Sequence, residues 1–253
     1  IFITGPGGCG KTYLIRIIVD HAKSNKKQIQ VCALTGCAAI LLNCCAKTIH
    51  SWAGIGLANG TIVDIVFQVT NSRSKRANWV KVNILLIDEV SMLSLKLFII
   101  LDKIGRIIKK KPNVPFGGIQ LIFSGDFYQL PPVGNNSDQE SSMFCFESEL
   151  WETLFKEPCF MKTIFRQKND GLYSKILNEI RVGRIHRSSC DVLYGCVDKK
   201  YTGEIKPTIL FPRRSDVDNI NKIEYSKLDG DEQIYKIESN KNLTDKNDLS
   251  FTD

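Results

Sequence analysis

Gly5-Pro6-Gly7-Gly8-Cys9-Gly10-Lys11-Thr12 places two glycines five positions apart, directly ahead of a lysine and a hydroxyl residue. Glycines there let the backbone curl so that successive N–H groups face one point, and the positive end of a following helix would reinforce them. Such a loop grips phosphate. Lys11 would reach the β- and γ-phosphates of a nucleoside triphosphate such as ATP, and Thr12 would ligate Mg²⁺. The cradle is Gly5, Gly7, Gly8, Cys9, Gly10, Lys11 and Thr12. A second acidic signal lies downstream. Asp88 and Glu89 end the apolar run 83–90, NILLIDEV. Asp88 is suited to hold Mg²⁺ with Thr12, and Glu89 to orient and deprotonate an attacking water. A third signal is SGDFYQLPPVG, 124–134, where Gln129 follows a strand end on a loop stiffened by Pro131 and Pro132. An amide there can bond both a γ-phosphate and the attacking water, so loss of that phosphate would move the loop.

These residues need elements to hold them. IFIT reads as a short buried strand before the glycine loop, and YLIRIIVDHAKSN has helical spacing after it. QIQVCAL (28–34), NILLIDEV (83–90) and GIQLIFSGD (118–126) read as further buried strands. TGCAAILLN is a turn and helix, and LKLFIILDKIGRIIKKK (95–111) is a helix closed by Pro112. This alternation predicts an α/β fold, a doubly wound parallel sheet with helices on both faces. LYSKILNEIRVG (172–183) is a helix with a glycine stop, KPTILFP (206–212) a strand, and the following segment a helix capped by Ser215. The last residues, 238–253, are polar, aperiodic and expected to be disordered.

Composition narrows the class. Of 253 residues, 43% are hydrophobic and 24% charged, as in an ordinary globular chain, and no apolar run reaches the ~18 residues of a membrane span. Lys and Arg number 34 against 27 Asp and Glu, and the resulting +7 permits a polyanionic partner. Nine cysteines without a CxxC pair give no zinc signature. Cys32, Cys37, Cys44, Cys45, Cys145 and Cys159 stand among apolar neighbours and read as small, reduced core residues of an intracellular protein.

The set GPGGCGKT, LTGCAAILL, KTIHSWAGIG, LLIDEVSML, FSGDFYQLPPV and FRQKNDGLYSKILNEIRVG resembles the petite-integration-frequency (PIF) helicases of superfamily 1, relatives of RecD. The match runs in order from residue 1 to about 237. The resemblance implies a P-loop, RecA-like first motor domain over 1–165, the incomplete start of a second over 166–237, and a polar tail over 238–253. It implies an ATP-hydrolysing DNA helicase that moves five-prime to three-prime on single-stranded DNA, opens forked duplex, and serves replication, repair, recombination or telomere maintenance. The workplace would be the nucleus, a mitochondrion or a viral replication site. Thr35, Gly36, His50 and Ser51 match strand-contacting motifs, and Arg166 matches the γ-phosphate arginine at the junction of two motor domains. Trp52 has two readings, base stacking or core. Region 57–82 could hold a wedge, with Arg73, Lys75 and Arg76 at the fork. The adenine-binding glutamine is expected before Ile1 and a second catalytic arginine after residue 253, so the chain reads as a fragment. A small nucleoside kinase would explain the glycine loop but not the Gln129 loop, and a non-catalytic DNA-binding module would not need Lys11, Asp88, Glu89, Gln129 and Arg166 together.

Overall fold

The computed structural model describes residues 1–134, 138–199, 207–230 and 232–233. Six parallel strands form one sheet in the order β3-β2-β4-β5-β1-β6: β1 (Phe2–Thr4), β2 (Ile29–Ala33), β3 (Lys47–Thr48), β4 (Ile84–Asp88), β5 (Gln120–Gly125) and β6 (Pro158–Phe160). Successive side chains leave a strand on opposite faces, and both faces are used. Leu85 and Ile87 of β4 enter one apolar cluster with Cys32 and Phe123. Ile84 and Leu86 enter the other with Ile3, Val31 and Ile122. That double burial is why β4 reads as an unbroken apolar run.

Helices α1 (Lys11–Ser24) and α2 (Gly36–Leu42) cover the second face through Ile15, Val19, Ala39 and Leu42. The first face carries α3 (Ile49–Ala53), α4 (Ile62–Asn71), α5 (Arg73–Lys81), α6 (Leu95–Ile108) and α7 (Glu149–Leu154). There Trp79 is fully buried, with its ring 4.7 Å from that of Trp52, and its Nε1 donates to Ala53 O at 3.1 Å. Trp52, 2% exposed, is therefore core, and the base-stacking reading falls. The region 57–82 is built into this face: α4 and α5 pack through Ile65, Val69 and Trp79, the Lys75 stem lies against Gly54, and Arg76 donates to Thr70 O. Trp79→Ala should cost about 3–5 kcal/mol by cavity formation, read from the shift of the urea midpoint at constant slope.

The chain divides into two compact units, Ile1–Gly195 and Cys196–Asp253. The boundary anticipated at 165–166 lies inside the first, because the segment after β6 is bonded back onto it. Phe165 N and Arg166 N donate to Gly8 O at 2.9 and 3.3 Å, and α8 (Gly171–Arg181) ends in an ion pair to the β5 loop. Helix α9 (Arg187–Tyr194) completes this unit. The second unit contains α10 (Arg214–Tyr225). Residues 207–211 form no strand, against the expectation for 206–212, whose first residue lies outside the described residues. Arg213, not Ser215, takes the cap position of α10, whose first helical residue is Arg214. The tail 238–253 is also outside the described residues.

The core assignment of the cysteines holds for Cys32 and Cys145, and Cys44 is half-buried; Cys9, in the glycine loop, is buried as well. Cys37, Cys45 and Cys159 are exposed, as is Cys196. Apolar neighbours misled there because the outer face of α2 is itself apolar: Ile40 and Leu41 stand in solvent. All nine thiols are free.

Candidate nucleotide and nucleic-acid site

Parallel strands deliver their loops to one edge of the sheet, and the predicted residues gather at that edge. The glycine loop joins β1 to α1. Gly10 takes the cap position of α1 at φ 93°, in the left-handed region, with no side chain capping the helix, so the first amides of α1 stay open. Gly8 also has positive φ, and a Cβ on it would lie 2.6 Å from the Arg166 Cβ. Lys11 Nζ folds back on the loop and donates to Gly5 O at 2.7 Å and Pro6 O at 3.1 Å. Cys9 is buried beneath the loop with its sulfur 3.8 Å from that ammonium, while Thr12 opens to solvent in the first turn.

Asp88 ends β4 and is 6% exposed. Burial pushes its pKa up, against a pull from Ser124, the Glu89 backbone and Lys11. Ser124 Oγ is buried beside it with no well-aligned hydrogen bond of its own, yet near enough to favour the carboxylate. Carboxylate and hydroxyl oxygens at the foot of a phosphate cradle are hard donors, and Asp88 with Thr12 fits a divalent cation such as Mg²⁺. Glu89 follows in the left-handed region, φ 57° and ψ 42°, a conformation that costs a non-glycine residue about 1–2 kcal/mol. Strain of that kind collects at functional sites. Burial, then Asp88 and Asp126, raise the Glu89 pKa, and Lys11 partly offsets them.

The Gln129 loop is held at three points. Phe127 is the anchor, 5.4 Å from the Phe2 ring and 5.6 Å from that of Trp151. Asp126, 1% exposed, accepts from Gln129 Nε2 at 3.2 Å and from the Tyr128 amide. Arg181 of α8 donates to both Asp126 oxygens at 2.7 Å and stacks over Tyr128, 4.4 Å from the ring centre. Burial works to raise the Asp126 pKa, but Arg181, Gln129 and the Tyr128 amide outweigh it and hold the carboxyl below its usual range. The Gln129 amide reaches the edge of the cradle, 4.0 Å from where a Gly7 Cβ would stand. Arg166 is exposed next to Gly8. Lys11, Glu89, Gln129 and Arg166 are thereby gathered around one loop, and Arg166 comes from the same compact unit as the loop it faces.

Thr35, Gly36, His50 and Ser51 form a second group at the ends of β2 and β3. Thr35 caps α2, accepting from Ala38 N at 3.2 Å, and Gly36 is open to solvent. Thr48 caps α3, whose first turn carries half-buried His50 and exposed Ser51. Burial lowers the His50 pKa, which favours a neutral ring. The two groups share one register row: Ala33 of β2 pairs with Asp88 on one side and Thr48 on the other. Thr35 is two residues past that row, and His50 two residues past Thr48.

The residue pattern alone assigns no role to Asp126, Arg181, Tyr128 or Ser124. A lone acid closing a buried strand asks for a cation, and that is the available signal for Asp126. Its partner lies 55 residues away, where spacing says nothing.

Comparison with known proteins identifies the family. A family model described as PIF1-like helicase matches residues 1–190. The ATP-dependent DNA helicase RRM3 of Saccharomyces cerevisiae is 35% identical over 243 residues, which cover 95% of this chain and 33% of that protein. The crystal structure of Pif1 helicase from Candida albicans is similar at a TM-score of 0.81 and 33% identity, over 91% of this chain and 51% of that one. Pif1 helicase from Bacteroides in complex with ADP-AlF3 and ssDNA is similar at a TM-score of 0.75 and 26% identity, over 91% of this chain and 54% of that one. The chain spans about a third of the length of RRM3 and of the similar ATP-dependent DNA helicase PIF1 of Emericella nidulans. Among the described residues no helix is long and apolar enough to cross a membrane. The chain belongs to the PIF1-like helicase family.

Proposed function

We propose that the chain is the nucleotide-hydrolysing and strand-gripping part of an ATP-dependent DNA helicase, working inside the cell on single-stranded DNA and forked duplex. The observation that carries this is the register row Thr48–Ala33–Asp88. It puts Thr35 two residues past β2, the strand hydrogen-bonded to the one that carries the candidate catalytic acids, and His50 two residues past β3, the next strand out.

In this reading, Lys11 exchanges the Gly5 and Pro6 carbonyls for β- and γ-phosphate oxygens, while the open amides of α1 bind the same phosphates. Thr12 and Asp88 would hold Mg²⁺, which supplies charge neutralisation on the phosphate oxygens when bound. Glu89, with its raised pKa, accepts the proton of the attacking water. Gln129 orients that water against the γ-phosphate, and Arg166 meets the charge that develops there. Departure of the phosphate frees the Gln129 amide and shifts the loop after β5. β5 and β2 flank β4, so the change reaches Thr35 through one strand and His50, beyond β3, through two. DNA held at those two loops is gripped and released in step with turnover. Travel from five-prime to three-prime is the direction the family resemblance implies.

The test is ATP turnover with and without oligo-dT, in the full-length protein that contains this chain. Stimulation of about tenfold or more, falling as salt screens the phosphate contacts, is expected. Unwinding of a five-prime-tailed but not a three-prime-tailed duplex would carry the direction. Turnover indifferent to oligo-dT, with crosslinks absent at Thr35 and His50, would remove the motor reading.

A further inference from the structure

The nucleotide cradle is bordered by two segments distant in sequence. One is the turn 126–129, whose last residue brings its amide to Gly7. The other is the segment after β6, which bonds to Gly8 through Phe165 N and Arg166 N and sets Arg166 beside it. Helix α8 continues that second segment, and its last residue, Arg181, returns to the first. Both guanidinium-to-carboxylate bonds are 2.7 Å, the fork-to-fork geometry that fixes orientation as well as distance. The same Asp126 oxygen that accepts from Arg181 Nε also accepts from Gln129 Nε2. The guanidinium covers one side of Tyr128, the residue just before Gln129. One carboxylate therefore carries both the clamp and the sensor.

We propose that Arg181 is a positioning residue for hydrolysis: through Asp126 it locks the Gln129 turn to the segment that carries Arg166, so that amide and guanidinium meet at Gly7 and Gly8 in a fixed relation. This rests on the reading of Gln129 as the γ-phosphate sensor. Arg181 touches neither nucleotide nor DNA in this role. Asp126 without Arg181 keeps its bond to Gln129 but loses the partner that aims it, and the turn is left on the Phe127 anchor alone. Lysine cannot substitute fully, because one ammonium does not span two carboxylate oxygens in a plane.

Two measurements on Arg181→Met and Arg181→Lys in the full-length protein decide the matter. The first is amide hydrogen exchange across 124–134, which needs no turnover. Exchange is expected to speed up about tenfold or more in Arg181→Met, with Arg181→Lys intermediate. The second is steady-state ATPase with oligo-dT. Arg181→Met should lower kcat about 10- to 100-fold at a KM for ATP changed by less than about threefold, and Arg181→Met/Gln129→Ala should be no slower than Gln129→Ala alone. Unchanged exchange across 124–134, or losses that multiply in the double variant, would overturn the proposal. If Arg181→Met does not fold, Arg181→Lys is judged by the same two criteria. If the wild type hydrolyses no ATP with DNA present, the motor reading fails, and exchange alone decides whether Arg181 holds the loop.

Discussion

Glu89→Gln should lower DNA-stimulated ATP turnover by about 100- to 10,000-fold, the usual contribution of a positioned base, with ATP affinity changed by less than about threefold. The amide keeps the size and the left-handed backbone of the native residue, so a folding defect does not account for the loss. The pH profile gives an independent check. Burial first, then Asp88 and Asp126, hold the Glu89 pKa above the ordinary carboxylate value. The base works only when deprotonated, so kcat/KM falls as pH drops through that raised pKa. The acid limb should therefore lie above the ordinary glutamate range, and Glu89→Gln should lack it. If the variant turns over normally with its acid limb intact, the base is another group. Asp88, also raised by burial, is then the one to replace.

Some of this site is legible in the chain alone, for physical reasons that differ by residue. The glycine loop announces itself because phosphate binding demands a backbone that only glycine tolerates, at fixed spacing from a cation. The strands β1, β2, β4 and β5 are legible because each is buried on one or both faces for most of its length. The edge strands are not. β3 has two residues, and β6 begins on Pro158, whose missing N–H is tolerated only at such a margin. Trp52 cannot be assigned from sequence, since a tryptophan that stacks on a base and one that stacks on Trp79 have the same neighbours along the chain. The boundary after 165 comes from the family resemblance, and nothing in the spacing of FRQ reveals that the amides of Phe165 and Arg166 bond to Gly8. Arg181 stands in view within NEIRVG, but a long-range ion pair leaves no trace in spacing.

Lys11→Ala should reduce ATP affinity by about 100-fold or more and bring turnover below detection, since it removes the one charge-assisted contact aimed at both outer phosphates. The resting contacts of Lys11 make the outcome easy to separate from misfolding. Its ammonium bonds to Gly5 O and Pro6 O and lies against the Cys9 sulfur, at a partly solvated surface where water can replace it. The unliganded protein should therefore lose no more than about 1 kcal/mol of stability. With Mg-ATP at about 100 times its dissociation constant, the wild type should gain about 2.7 kcal/mol from binding, read as a rise in Tm. The variant should show almost none of that rise at the same concentration. Lys11→Arg discriminates further. A planar fork is too broad to follow the phosphates into a cradle closed by Gly8 against Arg166, so it should restore charge without restoring turnover. An alanine variant that keeps the full ATP-dependent rise in Tm would mean that the helix amides alone hold the phosphates, and Lys11 would lose its place in the site.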